Sequence, residues 1–570
     1  AIEAQADWIL DTVGVEFRGD ADALALFRDA GARVEREHVR FDPGHVRALC
    51  RTAPAEFVLH GRLPANDMVL GGDHVVLMPG YGSPFVTDLE RGRRYATIED
   101  FRNFVRLTYA SALMHHSGGT VCEPVDVPVN KRHLDMVHAH LTLSTKPFMG
   151  SVTAVSRAED SIEMARIVHG PEALGAHAFI QANINVNSPL VYDETMSSVL
   201  RAYASAGQCV AVSPAVFAGA MGPVSPAAVA AQTLAEGMVG IALAQLVRPG
   251  CPSVLGSFHS TMNLRSGSLA FGSPEANLVT LALGQLGRRL GVPVRSGGGQ
   301  VTASNAADGQ AMQESTGAMW ATLLSGAHQV WHAAGWLEGG LTMSYEKFVM
   351  DLDHCGAMLK MLGGFATDAE AMGRDAYEET GPGQAFLSTA HTLRHYRSAN
   401  YEPGVAEPGP YERWAEAGAP TLAERATARA RDLFDAAAEI TVIRSGEDRY
   451  GRTLARIVLD GADVELDHVR RALERGVRRR LVSELPVADE VAGRRLGVDL
   501  RRVLVEHLRK VGEGRQLLVV DDDGVGRLLG RLLRLGDHHR DGLADVAHRL
   551  GIHRPVRRHL HGAAVLAEDG

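Results

Sequence analysis

Two tryptophans, a histidine and a carboxylate lie close together in this sequence, at Trp331, His332, Trp336 and Glu338. The first two belong to a short apolar run, Gln329–Ala334, and the others lie in the glycine-rich segment that follows. Any one of these side chains could equally belong to the core, but a chain with only five tryptophans rarely gathers two by chance. The cluster therefore favours a pocket. Because indole faces attract cations by about 0.5–2 kcal/mol, such a pocket suits a quaternary ammonium group.

Further polar side chains follow other predicted strands, where α/β barrels place their active sites. Asn185 ends one strand and could bind a carboxylate or an amide, and Arg295 ends another. Gln310 and Glu314 are four residues apart in a predicted helix and so share one face. Either Asp308 or Asn305, both just before that helix, is expected to cap it.

Several other chemistries are not supported by the sequence. The neighbouring pairs His115–His116 and His354–Cys355 diverge too far to hold zinc, and no nucleophile elbow or Ser-His-Asp pattern is visible. No GxGxxG follows the first strand and no GxxxxGK[ST] occurs, so nucleotide binding is unsupported. No catalytic residue and no metal ligand are assigned.

The elements that must position these residues alternate between short apolar strands and helices. We predict strands at 114–122, 147–155, 178–186, 209–213, 253–258, 292–296 and 329–334. Helices are predicted between them at 161–168, 194–206, 226–246, 273–290 and 310–325. This alternation predicts a parallel sheet with right-handed crossovers. An α/β fold of the (β/α)₈ TIM-barrel type accommodates it best, with an eighth strand either in 74–87 or after Leu341. A doubly wound sheet is the alternative.

The chain divides into four segments by composition. Residues 1–110 form a helical and β-meander extension, 111–365 the barrel core, and 366–440 a C-terminal helical extension. Residues 441–570 are rich in Arg and His, with one lysine and one aromatic residue. This tail is either a genuine domain, with a helix at 469–485 and a strand at 515–524, or a translation of the wrong frame.

Composition limits the class of protein. The 570 residues are 45% hydrophobic and carry a net charge of −10, which gives no indication of nucleic acid or an anionic membrane as a partner. Five scattered cysteines predict reduced thiols. No uninterrupted apolar run reaches the roughly 18–20 residues that span a bilayer. We therefore expect a soluble cytoplasmic protein, and the absence of an initiator methionine indicates a sequence trimmed or incomplete at its start.

Six stretches together resemble one known family. They read VGVEFRGDADALALFRDAGARVEREHVRFDP, NINVNSPLVYDE, LAFGSPEANL, ADGQAMQE, HAAGWLEGGLTMSYEKFVMDLD and GPGQAFLSTAHTLRHY. They are similar to the trimethylamine/glycine betaine corrinoid methyltransferases over roughly residues 1–435. The resemblance implies a (β/α)₈ barrel that moves an N-methyl group to the Co(I) of a corrinoid (cobalamin) carried by a separate small protein. Self-association into a homo-oligomer is left open.

The amine-specific members of that family carry pyrrolysine in a loop near the end of the barrel. No position here is pyrrolysine, and Gly339–Leu341 occupies the corresponding region. The resemblance therefore implies the nonpyrrolysine branch, with a betaine such as glycine betaine as substrate. The alternatives are a trimethylamine-type or other methylated-amine methyltransferase, a non-catalytic betaine-binding protein, and an enzyme acting on another small carboxylate.

The resemblance and the residue chemistry together assign substrate-binding roles to seven side chains. Trp331 and Trp336 are expected to hold the cation, His332 and Asn185 the carboxylate, Gln310 and Glu314 to give polar support, and Arg295 to be a weaker carboxylate ligand. Successive side chains of a strand alternate. If His332 faces the barrel mouth, Trp331 is therefore expected to face the helix layer and to be core, which leaves Trp336 as the main cation platform.

Overall fold

The computed structural model describes residues 1–437, 440–447, 453–459 and 462–465. Its strands are β1 (Val15–Phe17), β2 (Arg33–Glu35), β3 (His38–Arg40), β4 (Glu56–Leu59), β5 (Met68–Gly71), β6 (Val76–Leu77), β7 (Phe85–Thr87), β8 (Arg94–Tyr95), β9 (Phe148–Met149), β10 (Ile180–Val186), β11 (Val191–Tyr192), β12 (Cys209–Ala218), β13 (Ser253–Asn263), β14 (Ser268–Ala270), β15 (Val294–Ser296), β16 (Gln329–Val330), β17 (Trp336–Leu337), β18 (Thr342–Ser344), β19 (Ile440–Glu447), β20 (Thr453–Leu459) and β21 (Ala462–Glu465). Its α-helices are α1 (Ile2–Trp8), α2 (Ala21–Asp29), α3 (His45–Cys50), α4 (Ile98–Ala110), α5 (Arg132–Leu143), α6 (Val155–His169), α7 (Pro171–Ala176), α8 (Glu194–Ser205), α9 (Pro226–Val247), α10 (Pro274–Leu290), α11 (Gly309–Leu324), α12 (Tyr345–Leu362), α13 (Arg374–Glu379), α14 (Ala390–His395), α15 (Tyr411–Glu416) and α16 (Leu422–Ala437).

Seven parallel strands form the curved sheet of the barrel, in the order β6, β16, β15, β13, β12, β10 and β9. The segment 115–118 lies between the two ends of this sheet and closes the ring. His115 donates its backbone N–H to Leu77 at 3.0 Å, Ser117 donates to Pro147 at 2.8 Å, and Met149 donates to Gly118 at 2.9 Å. The predicted (β/α)₈ barrel is confirmed.

The strand left open in the prediction is β6, which precedes all other barrel strands along the chain. It lies in 74–87, one of the two places predicted for it, and within the segment assigned to the N-terminal extension. The segment 114–122, predicted as a strand, does not form a regular strand and contributes only the backbone hydrogen bonds at 115–118 that close the ring. The strand predicted at 329–334 ends at Val330. The helices α8, α9, α10 and α11 begin and end within two residues of the predicted limits.

Capping side chains explain why the helices begin where they do. Ser344 accepts a hydrogen bond from Lys347 N at the start of α12, and Asp308 accepts one from Ala311 N at the start of α11, both as predicted. Thr97 and Asp100 form a reciprocal capping box at the start of α4. Each of these caps fixes the residue at which its helix begins, after the loop that follows the preceding barrel strand.

The helix α9 is apolar on all sides because it is buried on all sides. It packs on the outer faces of β12 and β13, between α8 and α10, and is covered by α1 and α3 of the N-terminal extension. Among the described residues, α9 alone has the length and apolar composition of a membrane span, and 89% of that window is buried inside the protein. These properties are those of a core helix.

Two smaller sheets and a C-terminal extension complete this part of the chain. β11, β1, β3 and β2 form a sheet that joins the N-terminal extension to the loop after β10, and β17, β18, β7 and β8 form a sheet from the loops after the first and last barrel strands. α16 packs on α12 and α4.

The chain consists of two compact units, the first of which contains residues 1–437. The second contains β19, β20 and β21, which form an antiparallel sheet. The helix predicted at 469–485 and the strand predicted at 515–524 lie outside the described residues.

Candidate active site

The interior of the barrel is lined by polar side chains. Along β10, Gln181, Asn183 and Asn185 share the interior face, while the alternate residues Ala182 and Ile184 pack in the core between sheet and helices. Gln181 and Gln329 exchange two amide hydrogen bonds, of 3.0 and 2.8 Å, across the barrel. The two side chains form a layer of mutually hydrogen-bonded amides below the mouth, which is the end of the barrel where its strands terminate.

Asn185 lies at the open end of β10, where its side chain is exposed. Its Oδ1 accepts a hydrogen bond of 3.2 Å from Asn183 Nδ2. Asn183 in turn hydrogen-bonds the hydroxyl of Tyr81, and burial raises the pKa of that phenol. The predicted position of Asn185 at the barrel mouth is confirmed.

Arg295 is a buried cation with no acidic partner among the described residues. Its side chain is on the interior side of β15, with the guanidinium carbon 3.8 Å from the ring centroid of Trp331 and 6.0 Å from that of Phe258. Nη1 donates to the carbonyl oxygen of Ser257 at 2.6 Å, while Nε is buried without a partner. Burial lowers the pKa of Arg295 to about 9, so the group stays charged at neutral pH. An uncompensated buried charge is costly unless a ligand of opposite charge pairs with it.

The orientation predicted for Trp331 is wrong. Its side chain lies inside the barrel, in the interior cluster with Met78 and Val254, and its ring centroid is 5.7 Å from that of Tyr81. The regular alternation stops because β16 ends at Val330 and His332 has a positive φ of 54°. Both Trp331 and His332 therefore face the interior and the mouth.

An aromatic cluster surrounds His332 at the mouth. The His332 and Trp336 ring centroids are 4.8 Å apart, and the His332 and Phe258 centroids are 5.6 Å apart. Phe271 meets Trp336 edge-on at 4.8 Å, and Phe217 meets Phe258 at 5.8 Å. Phe217 and Phe258 are half-buried, whereas Trp336 and His332 are buried. Phe217 and Phe258 are thus the part of this cluster that reaches the surface at the mouth.

Sequence reasoning missed the three phenylalanines of this cluster. A signal for Phe258 was present, because period-two alternation from Val254 places it on the interior face of β13. Phe271 gave no comparable signal, since it follows the β14 strand and reaches the cluster only through the hairpin of β13 and β14.

His332 is a neutral imidazole in this setting. Burial and the positive charge of Arg295 lower its pKa well below the ordinary value of 6.5. Its Nδ1 is buried without a hydrogen-bond partner among the described residues. His332 is predicted to bind a substrate carboxylate, and in this setting it would do so as an uncharged hydrogen-bond donor, because the adjacent positive charge belongs to Arg295.

Unpaired buried polar atoms gather in the interior of the barrel and at its mouth. They include Asn183 Oδ1, Ser213 Oγ, Arg295 Nε, Trp331 Nε1, His332 Nδ1 and Trp336 Nε1. Buried polar groups are almost always hydrogen-bonded in folded proteins, so such a concentration needs a cause. A bound ligand with both polar and apolar parts would supply it.

Gln310 and Glu314 do not lie among the rings of the mouth. Gln310 is exposed and donates to Glu314 Oε1 at 3.0 Å, which confirms the shared helix face. Glu314 Oε2 accepts from Thr302 Oγ1 at 2.5 Å and from Ala303 N at 2.8 Å. One oxygen of Glu314 thus holds the loop after β15 and the other binds Gln310. The supporting role predicted for this pair at a substrate stays a prediction.

The glycine-rich loop after β17 packs directly on Trp336. A Cβ added to Gly340 would lie 2.3 Å from Trp336 Cζ2, and Gly340 has a φ of +100°. Beside it, Glu338 accepts two hydrogen bonds of 2.9 Å from Arg93 Nε, one at each oxygen. Glu338 therefore ties the loop to the β7–β8 hairpin and is not free to meet a ligand, and position 340 has no room for a side chain.

A buried ion pair on α12 holds the loop that carries His332. Lys347 and Asp351 are paired with both side chains fully buried, and burial raises the pKa of Asp351 to about 6. Asp351 Oδ2 accepts the backbone N–H of Gly335 at 2.9 Å. Lys347 Nζ donates to Gln300 O at 3.4 Å, and Gln300 N donates to His332 O at 2.8 Å. The Lys347–Asp351 pair therefore anchors two segments next to His332, the loop after β16 at Gly335 and the loop after β15 at Gln300.

Taken together, these contacts describe a binding site with a buried cation at its base and aromatic rings above. The geometry suits a small zwitterion whose carboxylate reaches Arg295 and whose own cation lies against the rings. Within the part of the chain that the structure describes, the mouth contains no nucleophile paired with a base. The site is therefore built to hold and orient a ligand.

Comparison with known proteins gives a consistent result. The model of one protein family, described as Trimethylamine methyltransferase (MTTB), matches residues 1–442. The glycine betaine methyltransferase of Desulfitobacterium hafniense is 42% identical over 427 residues, covering 75% of this chain and 88% of that protein. The proline betaine:corrinoid methyltransferase of Eubacterium limosum is 27% identical, covering 69% of this chain and 82% of that protein.

A solved structure with a similar chain path is that of the monomethylamine methyltransferase of Methanosarcina barkeri. It is 11% identical, covers 76% of this chain and 92% of its own, and superimposes with a TM-score of 0.44.

Proposed function

The chain belongs to the trimethylamine methyltransferase (MTTB) family, and from this premise we propose that it transfers an N-methyl group from a betaine to a corrinoid carried by a separate small protein. A betaine carries a quaternary ammonium and a carboxylate on one small molecule. The observation that carries the choice of substrate is Arg295, a buried cation without an acidic partner among the described residues, which lies next to an aromatic cluster. The 42% identity to a glycine betaine methyltransferase supports the same choice.

The roles of the site residues follow from this proposal. Arg295 binds the carboxylate, with Asn185 as a second donor at the mouth. Trp336 and Phe258 provide ring faces for the quaternary ammonium, and neutral His332 adds a hydrogen bond or a third ring face. The sequence predicts His332 as a ligand of the substrate carboxylate. We propose Arg295 in its place, because only Arg295 carries a fixed positive charge beneath the rings.

The reaction needs little proton chemistry from the protein. The C–N bond breaks, its electron pair stays on nitrogen, and the nitrogen becomes a neutral tertiary amine. The corrinoid supplies a strongly nucleophilic Co(I) as the methyl acceptor. The protein's part is to fix the substrate so that one N-methyl group faces the opening, and to exclude water around the other two. The open mouth, with half-buried Phe217 and Phe258 at its rim, fits a methyl acceptor that arrives from outside.

The absence of room at Gly340 supports the branch without pyrrolysine. A long side chain at that position would displace Trp336, with which the glycine is in contact. The five cysteines are unpaired and buried, which supports a reducing, cytoplasmic location.

The test is methylation of cob(I)alamin, or of a corrinoid protein, followed by visible absorbance. Glycine betaine and other carboxylated quaternary amines are expected to react, whereas choline and trimethylamine, which lack a carboxylate, should react at least about 10-fold more slowly. No turnover on any carboxylated quaternary amine would overturn the proposal. Tight betaine binding by calorimetry without methylation would identify a binding protein, and turnover confined to trimethylamine would identify an amine-specific enzyme.

Because the pKa of His332 is held well below 6.5, betaine affinity should be nearly independent of pH between about 6 and 8. Burial and the positive charge of Arg295 both oppose protonation of the imidazole. Calorimetric titration of glycine betaine at pH 6, 7 and 8 is expected to give dissociation constants within about twofold.

The control is His332→Asn, which cannot titrate in this range and should show the same flat profile. An affinity that rises about 10-fold on acidification in the wild type, and stays flat in His332→Asn, would show that His332 is the charged ligand after all.

A further inference from the structure

Residues 363–400 form an arm that has almost no core of its own. Its helices α13 and α14 are six residues each, and Gly373, Ala376 and Thr389 are its only buried residues. Large apolar side chains of the arm are exposed, among them Phe365, Met372, Tyr377, Phe386, Leu387, Leu393 and Tyr396. A segment that buries so little apolar surface needs another source of stability, such as a disulfide or a metal ion.

A group of metal-ligand side chains lies within this arm. The ligand atoms of Glu370, His391 and His395 are within 4.8 Å of one another, and this is the single such group of three among the described residues. His391 and His395 are four residues apart on α14, so their rings share one face, with centroids 4.6 Å apart.

The hydrogen bonds of the cluster leave ligand atoms available. His395 Nε2 and Arg394 Nε both hydrogen-bond Glu370 Oε1, at 2.7 and 3.0 Å. His391 Nδ1 is buried without a hydrogen bond among the described residues, and the nearest acidic oxygen, on Asp375, is 3.8 Å away. Asp375 also accepts a hydrogen bond of 2.6 Å from Arg394. Arg394 would therefore keep an acidic partner if Glu370 turned to bind a metal.

We propose that Glu370, His391 and His395 bind a divalent transition-metal ion, with zinc as the natural fit, and that the ion stabilises the arm. Two imidazole nitrogens and a carboxylate oxygen are ligands that zinc prefers, and a water or Asp375 completes a tetrahedral set. The ion would connect α14 to the turn before α13, and so restrict a stretch of chain that has little packing. This site is separate from the barrel mouth and does not depend on the proposed methyl transfer.

The test is zinc binding to the full chain, with zinc chloride as the probe. The chain has 25 histidines, so the informative quantity is the difference between variants. Wild-type protein should bind one more equivalent than His391→Gln/His395→Gln, by calorimetry and by metal content after gel filtration. Zinc should also slow tryptic cleavage after Arg374, Arg394 and Arg397 about 10-fold in the wild type and not in the double variant.

Two further proteins complete the design. His74→Gln removes an exposed histidine outside the arm and should behave as the wild type does. The single variant His395→Gln, at a partly exposed position, guards against misfolding of the double variant and should bind zinc at least about 10-fold more weakly. All variants should retain betaine turnover. Equal zinc stoichiometry and equal protection in wild type and double variant would assign the metal to adventitious sites and overturn the proposal.

Discussion

Replacing Arg295 by methionine should weaken the binding of glycine betaine by about 100-fold, because losing one partner of a buried charge pair costs roughly 2–5 kcal/mol. Binding of tetramethylammonium, which has no carboxylate, should be unchanged or tighter, since a nearby positive charge is removed. Calorimetry with both ligands measures the contrast. The ligand-free variant should melt no lower than the wild type, because the substitution removes an unpaired buried charge.

The matched variant is Arg295→Lys, which keeps the charge but loses the planar fork that binds both carboxylate oxygens. It should retain part of the affinity for betaine. The opposite pattern would refute the assignment: if Arg295→Met binds betaine within about threefold of the wild type while His332→Ala does not, the carboxylate lies on His332.

The second large effect concerns the buried pair on α12. Replacing Asp351 by leucine leaves Lys347 charged, buried and unpaired, which is expected to destabilise the fold by about 3–5 kcal/mol. The double variant Lys347→Met/Asp351→Leu removes both charges and should recover most of this loss. Thermal unfolding followed by circular dichroism compares the three proteins.

Betaine affinity should behave differently from stability in the same variants. Gly335 loses the acceptor for its N–H whenever Asp351 is absent, so the loop that carries His332 loses an anchor in the single and the double variant alike. We expect weaker betaine binding in both. A double variant that is stable and binds betaine as tightly as the wild type would contradict the anchoring role of the pair.

The barrel could be predicted because its signals are local. Period-two apolar strands, helical periodicity and the capping residues Ser344 and Asp308 each depend on a few neighbouring residues. The strand β6 gave a weak signal because only two of its residues pair with the sheet, and the strand predicted at 114–122 proved too long because only 115–118 supplies hydrogen bonds to the ring. Their place depends on partners that are far away in sequence.

The site was predicted only in part, for a related reason. Trp331, His332 and Trp336 drew notice through their types, but the direction of Trp331 depends on a positive φ at His332 that sequence does not reveal. Arg295 is important because no acidic side chain lies near it among the described residues. Such an absence is a property of the folded interior, and no spacing rule expresses it.

The burial of α9 has a consequence for the order of events during synthesis. This helix is apolar on every face, and α1 and α3 supply part of its cover, including a hydrogen bond of 3.2 Å from the Cys50 thiol to the Met238 carbonyl oxygen. Because α1 and α3 are translated first, they have left the ribosome before α9 follows, and can cover it as it emerges. A chain lacking the first 50 residues would release α9 uncovered, and aggregation would then compete with folding.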